Sequence, residues 1–232
     1  MALVKFGGGV IQMSGSIAGN TFAKNRFGNY VRARTKPINP RSPMQGVVRS
    51  ILSDLTDIWG QDLSAVERTA WNLYASSVAM KNKLGEVVYL SGFNHFIRSN
   101  SCRLRASQST IKPGPTNFVL PPADPAMAIT ASAAGQSISL AFNAAMNWCK
   151  VTGSFLHLSM GQPQNPQKNF FGGPWKSAGA LQGNTAVPIT SPQVIPVVFA
   201  IALGQHIWVA ARIQEVDGRL SELFRDDCFV GA

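Results

Sequence analysis

From residue 42 onward the spacing of apolar residues changes once, and that change limits the folds open to this chain. Val47, Val48, Ile51, Leu52, Leu55, Ile58 and Trp59 recur with a period near 3.6, as on an amphipathic helix. From Ser137 onward the period is two: Ile138, Leu140 and Phe142, then Phe155 with His157, then Ile207, Val209, Ala211 and Ile213. Between the two regimes lies the proline-rich stretch Lys112-Pro113-Gly114-Pro115 to Pro121-Pro122, which reads as a linker. A helical part followed by an all-β part places the chain in the α+β class.

The helical part is expected over residues 42–112. Ser42-Pro43 offers an N-cap and a proline at the first helical position. Gly60 to Leu63 reads as a break, and Ser64-Ala65-Val66-Glu67 is a capping box opening a second helix striped by Val66, Ala70, Trp71, Tyr74 and Ala75. Trp59 and Trp71 are expected to pack together as core. A loop over 81–85 follows, and Ser91-Gly92 opens a third helix carrying Phe93, Phe96, Ile97 and Leu104. Residues 113–122 form the linker. Over 123–232 the alternating segments, an almost wholly apolar run from Ile195 to Leu203 and the Asp217-Gly218 hairpin signal predict seven or so short strands, hence a β-sandwich.

Residues 1–41 read as a basic β-hairpin arm preceded by a glycine-rich strand. Thr21 to Asn25 runs out, Arg26-Phe27-Gly28-Asn29 turns, and Tyr30 to Arg34 returns. Gly28-Asn29 supplies the positive φ of a tight hairpin. On the return strand Tyr30, Arg32 and Arg34 share one face, with Val31 and Ala33 on the other. The chain has a formal net charge of +10 over 232 residues, and residues 1–50 contain eight Lys and Arg with no Asp or Glu before Asp54. Such asymmetry points to an acidic counter-surface. The candidate partner-binding residues are Lys24, Arg26, Arg32, Arg34, Lys36 and Arg41, with Phe22 and Tyr30. Alternation of apolar and basic side chains suits a strand added to a partner subunit's edge, with one face buried. Binding of nucleic acid, with Phe22, Phe27 and Tyr30 stacking while the cations meet phosphates, ranks second. Solvated charges that keep a sheet edge from aggregating account for some of these residues, though not for the absence of every acid from fifty positions.

A constellation for catalysis is missing from the sequence. His95, His157 and His206 lie in different predicted elements, and no pair has metal-ligand spacing. Cys102, Cys149 and Cys228 are odd in number and far apart, which favours buried thiols over a disulfide or zinc ribbon. Asp226-Asp227 and Asp54 with Asp57 read as a solvated turn and a helix face. Gly7-Gly8-Gly9 and the Gly15/Gly19 pair lack the residues of a phosphate loop. The expectation is a non-enzyme with no cofactor and no metal. No apolar run nears the ~20 residues of a membrane span, and the N-terminus has no signal-peptide pattern.

Two resemblances add to this reading. GSIAGNTFAKNRFGNYVRARTKPINPRSP, then Glu67-Arg68-x-x-Trp71, then Leu90-Ser91-Gly92-Phe93-Asn94-x-Phe96-Ile97-Arg98-x-Asn100, is similar to a pattern in uncharacterised proteins of tailed bacteriophages and prophages, across roughly residues 14–105. That resemblance implies a virion structural protein, assembled in the host cytoplasm, with no catalytic residues to transfer. A capsid decoration or cement protein, oligomeric and bound to major capsid or other virion subunits, is the first expectation. A head–tail connector, collar or tail component comes next. The string Ile207-Trp208-Val209-Ala210-Ala211-Arg212 with Asp217-Gly218-Arg219-Leu220-Ser221 resembles the last two strands of a fibronectin type III or immunoglobulin-like domain, which implies a binding or spacing module.

Overall fold

The computed structural model describes residues 2–36, 38–82 and 84–232; Met1, Pro37 and Lys83 lie outside the described residues. The N-terminal part is a four-stranded antiparallel sheet of β1 (Ala2–Leu3), β2 (Gly15–Ile17), β3 (Asn20–Asn25) and β4 (Gly28–Ala33), in the order β1-β4-β3-β2. The hairpin between β3 and β4 closes two residues earlier than the sequence suggests, with Asn25 opposite Gly28 and Arg26-Phe27 at the tip. The Asn25 side chain accepts the Phe27 N–H at 2.9 Å and fixes that turn, and Gly28 takes the positive φ of +117°. A second hairpin, through Ala18 and Gly19, joins β2 to β3.

Helix α1 (Pro43–Asp57) starts as its signals predict, with the Ser42 hydroxyl accepting the Gln45 N–H. The expected break is instead a widened π-helical turn over Ile58–Asp62, closed by the Leu63 N–H on the Ile58 carbonyl at 2.9 Å. It brings Trp59 against Phe93 and Phe96. The capping box of α2 (Ala65–Ser77) is formed in both directions, and its hydrogen bonds from Ser64 hold the Glu67 carboxyl below the usual range. Where only a loop was expected, β5 (Ala79–Lys81) and β6 (Val87–Tyr89) pair around a turn in which Asn82 Oδ1 accepts the Leu84 and Glu86 N–H groups. Helix α3 (Gly92–Arg105) follows. The two indoles meet through a shared neighbour: Trp59 and Trp71 each pack on Phe96, at ring distances of 5.5 and 5.7 Å.

The C-terminal part is built of β7 (Ala128–Ser132), β8 (Ser137–Ala141), β9 (Phe155–Gly161), β10 (Trp175–Gln182), β11 (Gln193–Pro196), β12 (His206–Gln214) and β13 (Phe224–Gly231), with a short helix α4 (Asn147–Lys150) before β9. The strand order β10-β9-β12-β13-β7-β8-β11 makes a nearly closed sheet, antiparallel except where β13 meets β7 in parallel at Val230 and Ala131. Its interior holds Ile138 and Leu140 together with Leu156, Leu158, Met160, Val209 and Ile213. The apolar run from Ile195 yields a strand only as far as Pro196. That strand lies at the sheet's edge, and a proline gives a ladder no N–H, so the chain leaves it and returns Ile201 to the core as loop. Asp226 and Asp227 lie on β13 rather than in a solvated turn: Asp226 accepts the Ile129 N–H and Asp227 accepts from His206.

The helical and β parts share an interface made by α3. It packs at the C-terminal end of β12 on the face opposite the core, where Gln214 meets Ser99, while Phe171 stacks on Trp208 at the other end, so that this strand is shielded on both sides. Arg98 donates to the Leu220 and Ser221 carbonyls, Ser99 to the Gly218 carbonyl, and Arg103 to the Gly153 carbonyl, while Gln214 donates to Ser99. The proline-rich stretch expected as a linker runs along α2. Asn100 brackets Ile111 on both backbone groups, the Trp71 N–H donates to the Lys112 carbonyl, and a Cβ on Gly114 would stand 2.7 Å from the backbone of Ala70 and Trp71. The helical and β parts are therefore expected to unfold together, in one thermal transition of residues 42–232. Two resolved transitions by calorimetry would contradict that coupling.

Candidate partner interface

The N-terminal sheet is where the basic residues are placed, and its register decides how they are presented. Cross-strand pairs put Phe22 opposite Val31 and Lys24 opposite Asn29, on one face. Tyr30 stands opposite Ala23, and Arg32 opposite Thr21, on the other. The eight candidate residues are thus divided: Phe22 and Lys24 on one side, Tyr30 and Arg32 on the other, and Arg26 at the hairpin tip. Arg34 follows the last residue of β4, its N–H still donating to the Gly19 carbonyl at 2.7 Å. Lys36 lies in extended chain beyond it, and Arg41, at a positive φ of +50°, adjoins the cap of α1. All six cations are exposed, and among the described residues none forms an ion pair with a carboxylate.

Apolar groups stand among them. Phe22, Tyr30 and Val31 are half-buried, while Ile17 is 62% and Ile38 88% exposed. The sheet belongs to neither of the two hydrophobic cores. Its attachment to the rest of the chain is at one end, where Lys5 pairs with Glu86 and a cleft of about 520 Å³ lies between Leu3 and Phe27 on one side and Met80, Val88 and Leu90 on the other. Phe27 thereby faces this protein's own β5–β6 hairpin.

Sequence reasoning missed a neighbouring apolar surface. Met44, Val47, Val48 and Leu52 on the first turns of α1 are each about half exposed (48–53%), whereas Leu55 is fully buried. The signal was present: apolar residues at 47, 48, 51, 52 and 55 make a stripe wider than one helix contact covers. Arg49 sits among them and donates to Asn39.

His206 is held at both nitrogens, by Asp227 Oδ2 at 2.6 Å and the Lys168 carbonyl at 2.9 Å, inside a stack with Trp208 and Phe229. Burial pushes the Cys149 and Cys228 thiols up to about 11 and raises that of Cys102. Among the described residues no group of three or more His, Cys, Asp or Glu side chains could hold a metal ion, and no helix is long and apolar enough to cross a membrane. Compared with protein-family models, curated proteins and solved structures, the chain matches none.

Proposed function

We propose that the chain is a non-enzymatic structural protein of a tailed-phage particle, a decoration or cement protein whose N-terminal sheet anchors it to capsid or other virion subunits, its own copies included. One observation carries the anchoring role: from residue 3 to residue 54 no described residue is fully buried, and the first that is, Leu55, already belongs to the helical core. A four-stranded sheet with half-buried apolar groups on both faces and no core is marginal by itself. A partner surface supplies what it lacks, and an acidic one matches its charge. The particle context comes from the motifs at residues 14–105. The strand order of the C-terminal part, with its last strand running parallel to its first, supports reading it as a fibronectin type III or immunoglobulin-like sandwich that projects outward from the anchor.

The test is charge reversal on the arm. Arg32→Glu together with Arg34→Glu is expected to abolish incorporation into particles, because like charges then face each other across a desolvated contact. Both side chains are exposed, so stability should move by no more than about 0.5 kcal/mol per substitution. Normal incorporation of the double variant, with wild-type protein binding random duplex DNA in a steeply salt-dependent manner, would replace the anchor by a nucleic-acid-binding arm.

A further inference from the structure

Between α3 and the outward face of β9, β10 and β12 lies a cavity of about 210 Å³, lined in part by Cys102, Arg105, His157, Ser159, Ser177 and Arg212. Four arginines converge on this seam, Arg98, Arg103 and Arg105 from α3 and Arg212 from β12. Arg98 and Arg103 spend their donors on backbone carbonyls. Arg212 does not: its Nε is buried with no hydrogen-bond partner. Among the described residues none of the four pairs with a carboxylate. Arg103 is buried, Arg98 and Arg212 are half-buried and Arg105 is exposed; a guanidinium partly withdrawn from water without a counter-charge makes an incoming anion favourable.

The rest of the lining has the same bias. Ser159 and Ser177 bring hydroxyls, and Trp175 brings an indole to the wall. His157 adds no charge at neutral pH, since burial pushes its pKa down to about 4 and its Nε2–H donates to Gln214 Oε1. An adjoining cleft shares Arg105, Trp175 and Ser177 and adds Arg49 and Lys176, so the approach is positive as well. Among the described residues no carboxylate lines either space. The volume equals about seven water molecules at liquid density and falls below the ~300–1,000 Å³ of pockets for drug-sized ligands.

We propose that this cavity binds a small inorganic oxyanion of the phosphate type, held by the guanidinium groups of Arg105 and Arg212, with the Ser159 and Ser177 hydroxyls completing its donors. The bound anion neutralises the seam between the helical and β parts and is separate from the N-terminal arm. The probe is inorganic phosphate, titrated calorimetrically into the full chain at constant ionic strength with chloride as the balancing anion. Saturable one-to-one binding is expected, weakened at least tenfold by Arg105→Gln, whose exposed side chain can be changed without disturbing the fold. Arg212→Lys, which keeps the charge and loses the planar guanidinium fork, is expected to weaken it as well. Arg32→Glu/Arg34→Glu should bind phosphate as the unmodified chain does. Binding no stronger than that of chloride would overturn the site, as would loss of binding in the arm variant or full retention in Arg105→Gln.

Discussion

Trp71→Ala is expected to lower the stability of the full chain by about 3–5 kcal/mol, the range for truncating a large buried aromatic. The indole has no exposed surface, and it meets Tyr74 and Phe96 edge-on at 6.0 and 5.7 Å. Its N–H is the partner of the Lys112 carbonyl, and its ring would stand 3.4 Å from a Cβ on Gly218. Truncation therefore opens a cavity in the helical core, leaves a carbonyl unpaired and withdraws support from the β12–β13 connection at the same time. Urea denaturation followed by far-ultraviolet circular dichroism checks this. A loss below about 1 kcal/mol would mean that the site collapses around the vacancy, and that the coupling of the two parts does not pass through this ring. Trp71→Phe, which keeps a ring and removes the N–H, separates the hydrogen-bond share, expected near 1 kcal/mol.

Acid should weaken the fold well before carboxylates titrate. Burial pushes the pKa values of His95 and His157 down to about 4, from an ordinary value near 6.5. The unfolded chain takes up these protons first, so stability is fully present above pH ~6.5 and falls as the pH drops towards 4. Below that both states are protonated and this contribution stops changing. Each histidine accounts for about 3 kcal/mol over that window. The His95 ring lies edge-on to Tyr74 with its Nε2 buried and unpaired, so charging it places a cation in an apolar pocket beside Arg98. The urea midpoint, measured between pH 7.5 and 4, should decline most steeply below 6.5. A flat profile down to pH 4.5 would contradict the buried neutral state of both rings.

Local signals in the sequence translated well where the chemistry that sets a conformation lies within a few residues. Ser42-Pro43, the Ser64–Glu67 box, Ser91 and Asp217-Gly218 each mark the boundary they announce, because a cap or tight turn is satisfied by its own neighbours. The alternation in β8 and β12 was equally plain, whereas β9 gives the core Leu156, Leu158 and Met160 and turns Phe155 and His157 outward. Long-range arrangements were illegible for a physical reason. Ser99, Asn100 and Arg103 look like the solvated face of α3, yet all are buried, since the carbonyls at Gly218 and Gly153 that satisfy two of them lie far along the chain. The π-helical turn at Ile58 was hidden because Gly60 suggests an end, while the need to bury Trp59 keeps the helix going. For the candidate interface, composition located the charge but not its division between two faces, which register alone decides.

The seat of α3 on β12 also sets how the molecule carries load. A pull on residues 1–41 travels through α1 into α3, which contacts it directly. From there it can reach the seven-stranded sheet through several hydrogen bonds in parallel, from Arg98 and Ser99 to the β12–β13 connection, from Arg103 to Gly153 ahead of β9 and from Gln214 on β12 itself, rather than along residues 113–122 in series. Strain on the anchor would then be shared across β12 and its two flanking strands. The stretch of chain that looks like a tether in the sequence would carry little of it.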